Sequence, residues 1–582
     1  MNQQSLDERE RSSSPVARRT FMGALWAIWA TALGWLQTAT CGVAAVQEKT
    51  AKNEEAPMPK EITERTIAEA EKLADLTFTD EERAQIVGGR KLGDFTTLRS
   101  VSLENEDPPA EIFDPRLPGT TLPQDEGKSL WLTTDVGPLP SREEDIAFAS
   151  VSQLHVWLRE HKITSERLTC LYLNRLKRFG PPLQCVVTLT EELAMEQAKR
   201  ADAELVAGKV RGPLHGIPWG AKDLFDTKGV ATTWGAMPFR TRVAERDAKV
   251  VDRLSEAGAV LVAKLTLGAL AYGDIWFAGR TNNPWNPKQG SSGSSAGSAA
   301  AAAAGLVGFT LGTETSGSIA SPCARSGATG LRPTFGRVSR AGTMALCWSL
   351  DKVGPICRTA YDCALVLDAI HGVDPEDPST VDVPLRFDFE TPTEQLRVGY
   401  DPAHYVPPIA NLADRQSLDA LQRLGFQLVP VTCPSGPYGE IISILLRVEA
   451  ATAFDELTRE NRDDELVWQE PKAWPNTFRQ TRFVPAVEYV RARRVRRRFM
   501  QQADAFFKEI DVFIAPQAHG DTHWLTNLTG HPALTLRQQF RDDGTPRALT
   551  MWGRLYGESS LLRVGSALEE ALGLWSRRPP LG

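Results

Sequence analysis

Two loops rich in glycine and serine carry the hydroxyl groups whose spacing points to chemistry. The first covers residues 290–299 and continues into alanines up to Gly305, and the second covers residues 311–319. Glycines in the second loop allow successive backbone N–H groups to converge where larger side chains would block the approach. Converging donors beside the hydroxyl of Ser318 are what acyl transfer needs, because negative charge develops on the attacked carbonyl oxygen.

A serine nucleophile also needs a base, and two lysines are candidates. Lys222 lies in a mostly apolar, strand-like stretch at residues 214–226, where burial would lower its pKa toward neutrality. Lys264 ends a similar apolar stretch at residues 260–264. Taken alone, Lys222 also fits a surface or salt-bridged lysine. The residues by themselves therefore leave the choice of base open.

Seven segments, taken together and in order, resemble the amidase signature family. They are residues 216–223, 281–287, 290–298, 311–319, 330–339, 351–355 and 527–534. The resemblance extends from about residue 148 to 575. It implies an α/β fold with an α/β/α core, in which helices surround a mixed central sheet. It also implies hydrolysis of carboxamide C–N bonds, of the linear amide type, without a cofactor.

The resemblance also assigns roles to individual residues. It implies Ser318 as the nucleophile, Lys222 as the base and Ser294, in a cis peptide, as the proton relay between them. Ser294 precedes Ser318 by 24 residues, which fits the family, and Ser291 is the fallback for the relay. Three residues are expected to form the oxyanion hole through their backbone N–H groups, with that of Ser318 as a further donor: Thr315, Ser316 and Gly317.

Four residues depart from the family's motifs, and they keep other functions open. They are Ala296, Glu314, Ser316 and Ala320, and Arg325 is a candidate to replace the ion pair that Ala320 removes. One alternative function is an amidotransferase A-type subunit that releases ammonia from glutamine. The other is a binding protein that has lost its catalytic activity.

The elements that must position these residues alternate between strands and helices, which favours an α/β sheet. Strands are predicted at residues 185–190 and 257–264, and helices at residues 191–207 and 247–256. The alanine-rich stretch that follows the first glycine loop is expected to be a buried helix, since a flexible linker would not continue into apolar residues. These elements belong to one predicted domain, residues 148–577.

Residues 1–45 are predicted to be a signal peptide. Arg18 and Arg19 precede an uncharged apolar run at residues 23–36, which is shorter than the about 20 residues needed to span a bilayer. The paired arginines resemble a twin-arginine export signal, with cleavage before Val46, so the protein is expected to be exported to the periplasm. An uncleaved anchor and lipidation at Cys41 are the competing interpretations.

Residues 46–147 are interpreted as an N-terminal extension and tether, and no chemistry is assigned to them. They are charged and dotted with proline, with helical patterns at residues 61–76 and 80–86. Aromatic residues between 348 and 478 are expected in the core, with an aromatic substrate pocket as the alternative. They are Trp348, Trp468, Trp474 and Phe478.

Charge and metal-ligand patterns exclude other classes of function. The formal net charge is −7, which argues against nucleic acid as a partner. The arginine-rich residues 491–498 fit the solvated face of a helix. No zinc spacing joins the cysteines, which are interpreted as core residues, or His519, His523 and His531. The expected partner is a small amide, with no metal, contact with a membrane only through the signal peptide, and an unassigned oligomeric state.

Overall fold

A mixed sheet of eleven strands runs through the centre of the molecule. The computed structural model describes residues 62–88, 103–105, 107–122, 136–387, 389, 392–408, 410–516 and 520–581. Strand order in the sheet is β1-β3-β2-β8-β10-β9-β14-β15-β13-β11-β12. The strands are β1 (Val186–Leu189), β2 (Pro218–Lys222), β3 (Val260–Leu265), β8 (Phe309–Glu314), β9 (Thr329–Arg332), β10 (Lys352–Cys357), β11 (Arg397–Tyr400), β12 (Gln427–Pro430), β13 (Val512–Pro516), β14 (Ala533–Phe540) and β15 (Pro546–Gly553).

Two small hairpins lie outside this sheet. They are formed by β4 (Ile275–Trp276) with β5 (Gly279–Arg280), and by β6 (Asn282–Asn283) with β7 (Asn286–Gly290). In the large sheet, β2 is parallel to both β3 and β8, and β11 is parallel to β12 and β13. The other pairs are antiparallel, so the sheet is mixed, as predicted.

Helices surround the sheet. The α-helices are α1 (Glu64–Ala74), α2 (Asp80–Gly88), α3 (Glu143–Ala147), α4 (Val151–Arg159), α5 (Ser165–Leu183), α6 (Glu191–Val206), α7 (Lys249–Glu256), α8 (Ala296–Ala303), α9 (Ala320–Ser326), α10 (Ala360–Ile370), α11 (Leu412–Arg423), α12 (Tyr438–Ala453), α13 (Asp455–Arg459), α14 (Trp474–Thr481), α15 (Ala486–Lys508), α16 (Gly520–Thr529) and α17 (Glu558–Leu572). Short 3-10 helices occupy Met237–Phe239, Ala269–Ala271, Thr393–Gln395, Pro402–Tyr405, Arg462–Glu465 and Leu574–Ser576. The predicted α/β fold, including the N-terminal helical extension, is therefore confirmed.

The predicted elements around the glycine loops are found within a few residues of their expected bounds. The stretch at residues 185–190 contains β1, and the helical patterns that follow it form α6 and α7. The alanine-rich helix α8 is buried along its whole length. Small side chains allow it to lie close to the sheet, and Ser298 Oγ, within the helix, donates to the carbonyl of Leu311 on β8 at 2.9 Å. This packing fixes the end of the first glycine loop.

Two composition-based expectations need correction at single residues. Six cysteines are buried as predicted, whereas Cys170 is exposed. Residues 491–498 lie in α15, but Arg496 is only 4% exposed and does not belong to the solvated face. Its guanidinium donates to the carbonyls of Leu528 at 2.6 Å and Ser349 at 2.8 Å. That arginine joins two segments of the core instead.

The predicted signal peptide at residues 1–45, Cys41 included, lies outside the described residues, and so does His519. Within the described ranges, no helix is long and apolar enough to cross a membrane. No group of three or more His, Cys, Asp or Glu side chains in those ranges could hold a metal ion.

Candidate active site

Lys222 ends β2 with its side chain fully buried beneath the two glycine loops. Its Nζ lies 2.9 Å from Ser294 Oγ, 3.1 Å from Ser295 Oγ and 2.8 Å from Thr313 Oγ1. Burial lowers the pKa of Lys222 to about 7, and only the more distant carboxylates of Asp351 and Glu314 oppose this shift. A lysine in this setting can hold or release a proton near neutral pH.

Lys264, the other candidate base, has different surroundings. Its Nζ donates to the carbonyl of Phe225 at 2.7 Å and to Thr232 Oγ1 at 2.6 Å, and it lies 3.3 Å from Asp223 Oδ1. Both members of this ion pair are fully buried. Burial lowers the pKa of Lys264, against the attraction of Asp223. Its charged partner is a carboxylate, whereas the contacts of Lys222 are hydroxyl groups.

The first glycine loop brings Ser294 to Lys222. The Gly293–Ser294 peptide bond is cis, as the resemblance implies for the relay. A Cβ at Gly293 would lie 1.8 Å from the carbonyl oxygen of Gly273, so only glycine fits there. Ser291, the fallback, directs its hydroxyl to the carbonyl of Ser292 at 2.9 Å. The geometry therefore favours Ser294 as the contact of Lys222.

Ser295 links the two glycine loops. Its hydroxyl donates to the carbonyl of Thr313 at 3.1 Å, and the Thr313 N–H donates back to that hydroxyl at 3.2 Å. Its own N–H donates to the carbonyl of Ser318 at 3.1 Å. The hydroxyl of Ser318 makes no hydrogen bond with the described residues, Ser294 included.

The loop at residues 315–318 presents free backbone donors. Within the described part of the chain, none of the predicted oxyanion N–H groups, those of Thr315, Ser316, Gly317 and Ser318, donates to a protein acceptor. Gly317 has a φ of +110°, which residues with a side chain rarely adopt. Thr315 is anchored by its hydroxyl, which donates to Asp351 Oδ1 at 2.5 Å. The loop is thus fixed at one end and open to an anionic oxygen in its middle.

Glu314 holds the other end of this loop. Its Oε2 accepts from the N–H groups of Ile319 and Ala320, both at 2.9 Å, directly after Ser318. Its Oε1 accepts from the guanidinium of Arg332 at 2.7 Å. Glu314 and Arg332 thus form a fully buried ion pair. Although burial raises the pKa of Glu314, Arg332 and the surrounding donors lower it well below its usual range.

His523, on α16, borders the same loop. Its Nε2 lies 3.6 Å from Glu314 Oε1 and 3.0 Å from the Asn527 side-chain nitrogen. A Cβ at Gly317 would lie 3.4 Å from that Nε2. Burial lowers the pKa of His523 to about 4, so the imidazole is neutral near pH 7.

A cavity of about 150 Å³ opens beside Thr313 and Thr315. Its lining includes the apolar side chains of Leu224, Met344, Leu346 and Trp348. Charged side chains line it as well, namely Arg246, Lys352, Glu376 and the ion pair of Arg340 with Asp377. Of the four aromatic residues considered from the sequence, Trp348 thus lines a pocket. Trp474 and Phe478 are stacked and buried, as core packing predicts, and Trp468 stacks on Tyr272.

Comparisons with known proteins agree with this arrangement. A family model described as Amidase matches residues 167–562. The chain belongs to the amidase family. The A-type subunit of the glutamyl-tRNA(Gln) amidotransferase of Roseiflexus sp. (strain RS-1) is 35% identical over 475 residues, which span 73% of this chain and 96% of that protein. As a member of the amidase family, the chain is an enzyme acting on C–N bonds.

Solved structures of other amidases share the fold. Native peptide amidase from Stenotrophomonas maltophilia has a TM-score of 0.66 and 29% identity, over 74% of this chain and 98% of the amidase. The A-type subunit of the glutamyl-tRNA(Gln) amidotransferase from Thermotoga maritima has a TM-score of 0.62 and 24% identity, over 75% and 96% of the two chains. The latter likeness supports the fold alone.

Several residues that shape the site were missed from the sequence. Thr313 and Ser295 complete the contacts of Lys222, and Asp351 anchors Thr315. Asp351 lies in a matched family segment, which was a usable signal. Arg332 also lies in such a segment. His523 has no local signal, because it reaches the loop at residues 315–318 only through packing between segments that are distant in the sequence.

Proposed function

We propose that this enzyme hydrolyses carboxamides through an acyl-enzyme on Ser318, with Ser294 as the relay and Lys222 as the base. The observation that carries the proposal is the 2.9 Å contact between Lys222 Nζ and Ser294 Oγ in a fully buried setting. A buried lysine with a pKa of about 7 is neutral in a large fraction of molecules near neutral pH.

The hydrogen bonds around Lys222 give the relay a direction. A neutral amine has two protons and one lone pair, so one of its three hydroxyl partners must donate to it. The Ser295 hydroxyl already donates to the carbonyl of Thr313. Ser294 or Thr313 is left as the donor, and of these two the family resemblance assigns the relay to Ser294.

The reaction follows from these positions. Ser318 attacks the amide carbonyl as its proton passes to Ser294 and the Ser294 proton passes to Lys222. The free N–H groups of Thr315, Ser316 and Gly317, with that of Ser318 as a further donor, stabilise the oxyanion. The proton then returns along the same path to the departing nitrogen, because an amine anion is too poor a leaving group. Water cleaves the acyl-enzyme by the same base catalysis.

Covalent labelling tests this proposal. A fluorophosphonate probe should label the folded wild-type protein and fail to label Ser318→Ala, while Ser316→Ala serves as the neighbouring control. Ser294→Ala should abolish amide hydrolysis, and Ser291→Ala should leave it within a few-fold of the wild-type rate. Absence of labelling in the folded wild-type protein would refute the nucleophile.

Release of ammonia from glutamine is the second candidate function. The 35% identity to an amidotransferase A-type subunit over nearly all of that protein favours it. An assay of glutamine hydrolysis, with and without the partner subunits of such an enzyme, separates the two functions. Activity on simple amides without any partner supports the hydrolase, and ammonia release only with the partners supports the amidotransferase.

We further propose that the protein is exported by a twin-arginine signal at residues 1–45 and acts in the periplasm. The paired arginines and the short apolar run support this location. N-terminal sequencing of the protein from a periplasmic fraction should give a chain that begins near Val46. An intact N-terminus in the cytoplasmic fraction would contradict export.

A further inference from the structure

One segment beside the cavity comes before the residues that match the family. It consists of the described residues 103–105 and 107–122, which we call the strap, and it lies outside the matched residues 167–562. Asp107 and Pro108 of the strap line the same cavity as Thr313 and Thr315. The strap therefore forms part of the wall next to the proposed catalytic residues.

Asn105 attaches the strap to the loop that forms much of the cavity wall. Its Oδ1 accepts from the Ala345 N–H at 2.7 Å, and its Nδ2 donates to the Ala345 carbonyl at 3.2 Å. The same Nδ2 lies 3.2 Å from the carbonyl of Ala453, at the end of α12. One amide side chain thus holds both backbone groups of Ala345, which itself lines the cavity.

The strap is anchored again further along the chain. Glu111 forms an ion pair with Arg493 of α15 at 2.5 Å, but both side chains are exposed, so this pair contributes little to holding the strap. The ring of Phe113 packs edge-on against Phe335, with centroids 5.0 Å apart, and Arg496 lies over that ring. Because it is held on both sides of Asp107 and Pro108, the strap can act as a fixed wall.

Short contacts continue from the strap to the oxyanion loop. Ala345 is followed by Leu346, whose N–H donates to Asp351 Oδ2 at 2.8 Å. The other oxygen of Asp351 accepts from the hydroxyl of Thr315. The loop that Asn105 holds is thus the loop that positions Thr315 through Asp351.

We propose that the strap is a specificity element, which limits the substrate to carboxamides with a compact group about the size of a benzene ring. An apolar protein cavity of about 150 Å³ holds benzene, and this cavity has the same volume. Apolar and charged side chains both line the cavity, so its size rather than its polarity sets the limit, and Asp107 with Pro108 closes the space against larger groups. This inference rests on the proposed amide hydrolysis.

Chromogenic amides of graded size test the strap in the full-length protein. One series enlarges the acyl group from acetyl through benzoyl to naphthoyl, and a second enlarges the amine, so that the two series show which half occupies the cavity. For one series, wild-type kcat/KM should fall at least tenfold from the benzene-sized to the naphthalene-sized group. Asn105→Ala should reduce that discrimination, the ratio of the two kcat/KM values, at least fivefold.

Two further variants make the result specific to the cavity wall. Pro108→Gly keeps the Asn105 hydrogen bonds and removes a ring from the wall, so it should change discrimination in the same direction. Glu111→Gln removes an exposed ion pair away from the cavity and should leave discrimination unchanged. Hydrogen exchange should be faster at the Ala345 amide in Asn105→Ala and unchanged in Glu111→Gln.

The outcomes separate this proposal from the proposed function. Hydrolysis of small amides with the same discrimination in wild type, Asn105→Ala and Pro108→Gly would overturn the strap alone. Equal hydrogen exchange at the Ala345 amide in wild type and Asn105→Ala would show that Asn105 does not hold Ala345, and this would overturn the proposal. A folded wild-type protein that hydrolyses no amide and reacts with no fluorophosphonate would overturn both proposals.

Discussion

Lys222 and Lys264 are fully buried lysines on the neighbouring strands β2 and β3, and their surroundings differ. The register pairs Ala221 with Lys264 and Lys222 with Leu265, so an offset of one residue directs the two side chains to opposite faces of the sheet. On one face Lys222 meets three hydroxyls, and on the other Lys264 meets the carboxylate of Asp223. Burial alone does not make a lysine a base. The charge and proton-donating capacity of its partners decide its role.

Replacing Lys222 should have the largest effect on activity. Lys222→Met keeps the volume of the side chain and removes the group that accepts the proton, so kcat/KM should fall by about 10²–10⁴-fold. Amide hydrolysis measures the loss of activity, and a thermal melt shows whether the variant is folded. The variant should remain folded. Activity within fivefold of wild type would contradict the role of Lys222 as the base and its distinction from Lys264.

Replacing Lys264 should mainly reduce stability. Lys264→Met leaves Asp223 buried without its cation, at a cost of about 3–5 kcal/mol. The midpoint of urea unfolding should fall, while the folded fraction keeps most of its activity. Adding Asp223→Asn should restore part of the midpoint, because it removes the unpaired carboxylate. An unchanged midpoint in Lys264→Met would show that the ion pair is not structural.

The pH profile should report Lys222 and not Lys264. Since Lys222 must be neutral to accept a proton, kcat/KM should rise through an apparent pKa of about 7, by tenfold per pH unit below that value. Lys264→Met should keep the same midpoint. The contribution of Lys222 to stability should also rise between pH 7 and about 10.5, because the unfolded lysine there holds a proton that the folded one lacks. A flat activity profile from pH 5.5 to 8 would exclude Lys222 as the base.

The smallest effects should come from the hydroxyl partners. Thr313→Val removes one hydrogen bond to Lys222 and should cost about 1 kcal/mol, or about fivefold in kcat/KM. Thr232→Val removes the equivalent partner of Lys264 and should lower stability by a similar amount without changing kcat/KM. Equal kinetic effects of both variants would mean that the two lysines are not functionally distinct.

The same pair of lysines shows how far the sequence could reach. Apolar residues around Lys222 and Lys264 correctly predict two buried strands. Their roles depend on the register between β2 and β3 and on which loop covers each face, and a single stretch of sequence contains neither. The family resemblance proposed Lys222, and the contact with Ser294 supports that choice.

The position of Ser294 could be predicted from the sequence, whereas the contacts of the strap could not. Ser294 follows from a fixed spacing within a loop and a helix that pack locally, so the sequence predicts its position. Asn105 contacts Ala345 across 240 residues, and its side chain has no periodic or motif signal. Arg496 differs from its exposed neighbours for a similar reason, because its acceptors belong to other segments of the chain. Such contacts are set by the assembled fold.

The lowered pKa of Glu314 bears on how the folded enzyme responds to mild acid. Its pKa lies well below the ordinary range. The carboxylate therefore keeps its hydrogen bonds from the N–H groups of Ile319 and Ala320 as pH falls from 7 to 5. Its stabilising effect is lost only as pH falls through that lowered pKa. Over the same interval Lys222 gains its proton, and under the proposed mechanism kcat/KM falls to about a hundredth of its maximum. Mild acid should therefore place the enzyme in a dormant, folded form that resumes hydrolysis once the surroundings return to pH 8.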